Sequence, residues 1–218
     1  MKRSRWKVIV DFLTFPVRVL LLFQKGRWGL TCRQMERFYY VASVTGERCL
    51  DIGCGRYNRF IRTFKKERGV GLDVYPYEGL LEKEVVEDLT RFNFPNSSFN
   101  SVTFIASVNH IPARDRDTEL GEAFRCLKDG GNIVITMGNP LAEIVIHWLA
   151  RISDRFLGTR VDLDGERGMD EEEDYYLTDR EIINRLQLAG FTSIRKKYFI
   201  TQWGLNHMFV GWKNPVPV

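Results

Sequence analysis

Cys49-Leu50-Asp51-Ile52-Gly53-Cys54-Gly55, with Gly71-Leu72-Asp73-Val74 downstream, is the stretch that decides the fold. It reads as a buried strand, a glycine turn, a helix and a second strand ending in an acid. That sequence of elements builds a nucleoside-binding crevice at the carboxyl ends of parallel strands. A carboxylate after the second strand suits a ribose diol, because it can accept two hydroxyl hydrogen bonds. Asp73 lies 20 residues beyond Gly53, the spacing such a unit requires. A dinucleotide fingerprint would place a third glycine after two further residues. Here Gly55 is followed by Arg56, Tyr57 and Asn58, so that fingerprint is broken. Asp51, two positions before the first glycine, would repel a pyrophosphate and attract a cationic ligand carrying an amino group and a sulfonium.

Working outward, the run resembles the class I S-adenosylmethionine-dependent methyltransferases. Leu50 to Gly55 is similar to their first motif, and Asp73 matches their ribose-binding acid. Asp88-Leu89, ahead of Phe94 to Val102, resembles their adenine-binding acid and the run into the fourth strand. Ala106-Ser107-Val108-Asn109-His110-Ile111 is similar to the end of that strand, which faces the methyl group. Glu122 to Gly131 resembles the helix and turn before the fifth strand. The resemblance is close over residues 46–138 and loose over 175–213. One departure is Tyr57, near which the family usually has a further glycine.

The resemblance implies an α/β, Rossmann-like three-layer sandwich. Its sheet would be mostly parallel and seven-stranded, with an antiparallel last strand. It implies S-adenosylmethionine as donor, S-adenosylhomocysteine as product and no metal. Asp51, Gly53, Cys54, Gly55, Asp73, Val74, Asp88, Leu89 and Asn109 are the implied cofactor residues. His110 is a candidate general base, since an imidazole at the strand end that faces the methyl group can accept a proton; a residue that shapes the pocket is the competing reading. Tyr57, Asn58, Tyr175 and Tyr176 are candidates for the acceptor pocket.

The bulk properties fit one domain of 218 residues. Residues 1–36 hold eight lysines and arginines against Asp11 and Glu36, a charge of +6 in a chain whose total is +4. The remainder is therefore −2, and the basic character belongs to the N-terminal segment. Residues 6–23 mix apolar and basic character, interrupted by Asp11, Pro16 and Arg18. They fall short of the ~20 apolar residues that cross a bilayer. Two readings follow: helices broken at Pro16 that cap the sheet, or a basic amphipathic segment on an anionic membrane. The four cysteines form no C-x-x-C pair, and the three histidines are far apart. A reduced, cytoplasmic setting is expected, with peripheral contact to the inner face of a membrane as a further option.

The expected organisation is a helical cap over 1–45 and a catalytic domain over 46–218. In that domain Arg56 to Lys66 reads as a helix and Val85 to Asp88 as a short third strand. Thr178 reads as the N-cap of a helix with Glu181 at its third position, and 193–202 and 206–213 as two strands joined by a turn at Trp203-Gly204-Leu205. An insert at about 139–177 contains an apolar helix over 141–156. Methyl transfer to a small-molecule or lipid-linked acceptor is the expected activity, with oxygen as the first choice of accepting atom. An RNA or protein acceptor, and a non-catalytic binder of S-adenosylmethionine, are the rivals; a dehydrogenase ranks third. Nucleic acid is not an expected partner, because no aromatic–basic platform for single strands is present in the sequence.

Overall fold

The computed structural model describes residues 4–15, 30–139, 148, 155, 174 and 177–214. Six strands form one sheet: β1 (Cys49–Ile52), β2 (Gly69–Leu72), β3 (Phe99–Ile105), β4 (Leu127–Gly138), β5 (Thr192–Tyr198) and β6 (Asn206–Trp212). Their spatial order is β2-β1-β3-β4-β6-β5. The first four run parallel, and β6 is antiparallel to both β4 and β5. The expected antiparallel last strand is thus present. The expected count of seven becomes six among the described residues. The short strand expected at Val85–Asp88 contributes one parallel bridge, Asp73 to Val85. Its acids and the adjoining three-residue turn at Glu82–Glu84 leave too few ladder positions for a strand.

Among the described residues, four α-helices accompany the sheet: α1 (Arg5–Leu13), α2 (Leu30–Ala42), α3 (Arg116–Cys126) and α4 (Asp179–Leu188). The alternation of side chains along the strands divides the core in two. Leu50, Ile52, Val102, Phe104, Ile133 and Ile135 face α3 and α4, meeting Leu120, Ala123, Ile182 and Leu186. Cys49, Val134, Met208 and Val210 face Phe38 and Val41 of α2, with Phe60 and Ile61. Phe38, Phe60 and Phe64 pack ring against ring beneath α2. Thr178 caps α4 by accepting from the Glu181 amide at 3.2 Å, as its position before a polar-then-apolar run predicts.

The helix expected from Arg56 begins later. Tyr57 and Asn58 adopt φ of 62° and 44°, so the chain cannot enter a right-handed helix there. The helical turn that follows widens to a π-helix at Ile61–Lys65. Residues 16–23, most of 139–177 and both Tyr175 and Tyr176 lie outside the described residues, as does all but 148 and 155 of the helix expected over 141–156.

Candidate active site

The strand order reverses between β1 and β3, and a cavity of about 440 Å³ opens at their carboxyl ends. That is where a ligand fits in an open parallel sheet. Asp51, Gly53, Cys54, Gly55, Asp73, Val74, Asp88, Leu89 and His110 all line it. Tyr57, Asn58 and Asn109 do not.

The glycine loop is held from below. The amides of Gly53 and Cys54 both donate to the Leu72 carbonyl, at 2.8 and 3.1 Å. Gly53 has φ of 69°, and a Cβ there would fall 2.4 Å from Cβ of Ser107. Ser107 in turn donates to the Ile52 carbonyl at 2.7 Å. Gly55 has φ of 64°, yet no heavy atom lies within 4 Å of where its Cβ would be. The first glycine is therefore required by packing, the second by backbone conformation alongside open space.

Three acids arrange themselves around this loop. Asp51 is 1% exposed. Its Oδ1 accepts from the Thr103 hydroxyl at 2.6 Å. Burial pushes its carboxyl up to about 7; the Thr103 bond opposes this and the Asp73 charge adds to it. Asp73 is 4% exposed. One of its oxygens accepts from the Gly55 amide at 2.9 Å and the other from the Tyr75 amide at 3.0 Å. It thereby ties the end of β2 to the glycine loop. Asp88 accepts from the amide and hydroxyl of Thr90, at 2.7 and 2.6 Å, and these bonds hold its pKa low.

The residues that miss the cavity have visible reasons. Tyr57 occupies the left-handed conformation that glycine adopts most readily. Its ring packs over Gly79, where a Cβ would come within 2.2 Å of Cδ1 of Tyr57. Asn58 is buried, and its amide donates to Glu84 at 2.9 Å. Asn109 presents its carbonyl to the Asp174 amide at 3.1 Å and to the Arg116 guanidinium at 3.4 Å.

Other residues arrive from elements distant in sequence. Arg37 and Phe38 of α2, Ser107, and Asp115 and Glu119 at and within α3 line the cavity. Glu119 is buried with Oε2 unpartnered. Burial first, then the charges of Asp115 and Asp88, pushes its carboxyl up to about 8. Ser107 belongs to the run quoted at the end of β3, but sequence spacing carries no signal for Arg37, Phe38, Asp115 and Glu119, which meet only through packing of α2 and α3. Thr103 was findable: it is a lone polar residue in the otherwise apolar run Val102–Ile105.

Cys49, Cys54 and Cys126 are free and buried. Burial and the Asp51 charge push the Cys49 thiol up to about 12. Burial and three nearby carboxylates push the Cys54 thiol up as well. Both shifts favour the protonated thiol over the thiolate. Among the described residues, no group of three or more histidines, cysteines and acids could hold a metal ion.

An α/β sheet with an acid-lined crevice at its switch point defines a nucleoside-binding protein. Residues 27–196 match a family model described as a methyltransferase domain. The chain belongs to that family, and it is a class I S-adenosylmethionine-dependent methyltransferase. Solved structures agree in fold. A methyltransferase of Archaeoglobus fulgidus superposes with a TM-score of 0.62 at 15% identity, covering 88% of this chain and 96% of that one. A possible histamine N-methyltransferase of Thermotoga maritima gives 0.56 at 14% identity, covering 95% and 99%. A methyltransferase of Methanosarcina mazei gives 0.51 at 20%, covering 80% and 96%. A search of curated proteins returned no match.

The residues present fit the cofactor the family uses. Gly55 opens onto space that no heavy atom fills within 4 Å of where its Cβ would be, and the walls carry acids where a cationic nucleoside would sit. Among the described residues, no helix is long and apolar enough to cross a membrane.

Proposed function

We propose that the methyl acceptor is a small or lipid-linked molecule, and that it enters beside α2. The observation that carries this reading is the charge of the cavity wall. Among the described residues, Asp51, Asp73, Glu87, Asp88, Asp115 and Glu119 line it against one arginine, Arg37. A wall of carboxyl groups attracts a cationic donor and repels a polyanion. This disfavours RNA as acceptor. The volume of about 440 Å³ is typical of small-molecule sites.

S-adenosylmethionine supplies a methyl group already activated on a sulfonium. The protein then has to align an acceptor atom and exclude water. In this reading Asp73 receives the ribose hydroxyls, while Asp88 and Leu89 hold the adenine. Asp51 faces the cationic arm across the glycine loop. Cys54 and Val74 complete the walls. His110 stands beyond β3 and takes the proton of an acceptor hydroxyl, which supports oxygen as the first accepting atom to screen. A bilayer-borne acceptor would bring peripheral contact through residues 1–23.

Calorimetric titration with S-adenosylmethionine, S-adenosylhomocysteine and NAD tests the reading. The two sulfur nucleosides should bind at micromolar concentration and NAD should not. Folded protein that binds neither sulfur nucleoside would overturn it. His110→Gln should lower kcat by roughly 100-fold or more while leaving cofactor affinity unchanged. An unchanged kcat would remove His110 from the chemistry.

A further inference from the structure

We propose that α1 and the turn at residues 200–204 form a docking face for an anionic lipid bilayer. This deepens the lipid-linked option above and rests on it for its purpose, though not for its evidence.

The evidence is the orientation of α1. A helix on a water-soluble surface turns its apolar stripe inward. Here the reverse holds. Trp6, Ile9 and Leu13, spaced as one helical stripe, are 73%, 49% and 67% exposed. The one acid of the helix, Asp11, is buried. Phe15, just beyond, is also buried and anchors the helix end. The outward side of α1 thus carries apolar groups and the exposed cations Arg5 and Lys7, and no acid.

A second element extends the same surface. Trp203 donates through Nε1 to the Phe12 carbonyl at 3.0 Å. Its ring meets Phe12 and Phe15 at centroid distances of 6.0 and 5.8 Å. Trp203 and Ile200 themselves remain 53% and 63% exposed. Scattered exposed apolar residues are ordinary, but a contiguous cluster built from two elements marks an interaction surface.

Charge selects the occupant. The segment 1–36 carries +6, while the rest of the chain carries −2. Exposed tryptophans amid cations match the headgroup boundary of an anionic leaflet, where the rings enter and the cations meet phosphates.

The face also connects to the cavity. Gln202 donates to Glu36 of α2 at 3.0 Å, and Thr201 pairs with Tyr40 of α2 at 3.3 Å. The next residues of α2, Arg37 and Phe38, line the cavity. A bilayer at this face would lie next to the side on which acceptor entry is proposed.

The test is sedimentation of the full chain with vesicles of equimolar phosphatidylglycerol and phosphatidylcholine, and with phosphatidylcholine alone. Binding should favour the anionic vesicles and fall with salt. Trp6→Glu with Leu13→Glu, and separately Arg5→Glu with Lys7→Glu, should each weaken it by at least about tenfold. These side chains lie outside the cavity, so S-adenosylhomocysteine affinity should stay unchanged and report a folded protein. Absence of vesicle binding, or binding that ignores both double substitutions, overturns the proposal. A dimer in solution that the same substitutions dissolve also overturns it, because a second copy would then be the occupant. Vesicle binding without cofactor affinity would sustain the docking face while sinking the cofactor reading. The opposite result would do the reverse.

Discussion

The crevice at the ends of β1 and β2 and the outer side of α1 place their side chains in opposite ways. The crevice buries acids: Asp51 and Asp73 are almost wholly removed from water. The outer side of α1 exposes tryptophan, isoleucine and leucine while its acid turns inward. Each arrangement costs free energy in the isolated chain. A buried carboxylate loses hydration, and an exposed apolar stripe forgoes burial. Each makes sense when a second molecule completes it. A cationic nucleoside would offset the buried acids, and a bilayer would cover the stripe. The difference lies in fixation. The acids are held by named hydrogen bonds at 2.6–3.0 Å, whereas the exposed side chains of the stripe stand on a helix anchored through buried Phe15 and the Trp203 bond to the Phe12 carbonyl. The crevice should therefore respond sharply to substitution and the stripe weakly.

The largest expected effect is at Asp73. Asp73→Ala removes the acceptor for the ribose and strands the amides of Gly55 and Tyr75. Hydrogen bonds to a charged group are each worth about 1.5–3 kcal/mol. Cofactor affinity should fall by at least roughly 100-fold, read by calorimetry. Full affinity in the variant would break the placement of the cofactor.

Next come the two glycines, which separate packing from backbone strain. Gly53→Ala would press its methyl group against Ser107, whereas Gly55→Ala meets open space. Both pay for a positive φ, about 1 kcal/mol or more. Overpacking adds about 1–3 kcal/mol at Gly53 alone. Thermal unfolding should show the Gly53 variant as clearly the less stable of the two. Equal losses would mean that the loop relaxes away from Ser107.

The acid Asp51 gives a pH dependence of intermediate size. Its folded pKa, about 7, lies above the ordinary aspartate value of about 4. Its contribution to stability is thus fully present below about pH 4 and is lost as pH rises through 7. Cofactor affinity should move the other way, because the ionised form attracts the cationic donor. Affinity should weaken about tenfold for each pH unit below 7. Asp51→Asn keeps an acceptor for Thr103, so it should raise the melting temperature at pH 8 and flatten the affinity profile. A profile that stays steep in the variant would assign the titration elsewhere, Glu119 being the next candidate.

These residues also show which parts of the molecule the sequence reveals. The β1 run and Asp73 were legible because a strand, a glycine turn and an acid at fixed spacing are local facts. The hairpin of β5 and β6 was legible for the same reason, around the turn Trp203-Gly204-Leu205. The helix start at Arg56 was misread because nothing in Tyr57-Asn58 announces positive φ. Gly79, which makes room for the Tyr57 ring, is 22 residues away. Glu119, Arg37 and Phe38 were invisible as site residues, since on their helices they look like ordinary positions. Only the packing of α2 and α3 against opposite sides of the sheet brings them to one cavity.

The smallest effect is expected on the outer side of α1, and it is the one that most sharpens the comparison. Trp6→Ala and Leu13→Ala remove large apolar groups that touch mainly water. In a protein without a partner, such changes stay within about 0.5 kcal/mol of wild-type stability. Chemical denaturation should find them there, with the slope against denaturant unchanged. Phe15→Ala, two residues further along but buried, should cost about 3–5 kcal/mol if the helix packs as described. A large loss at Trp6 or Leu13 would mean that the stripe is already covered by the chain itself. The contrast between a fixed crevice and an uncovered helix would then dissolve, and the docking face with it.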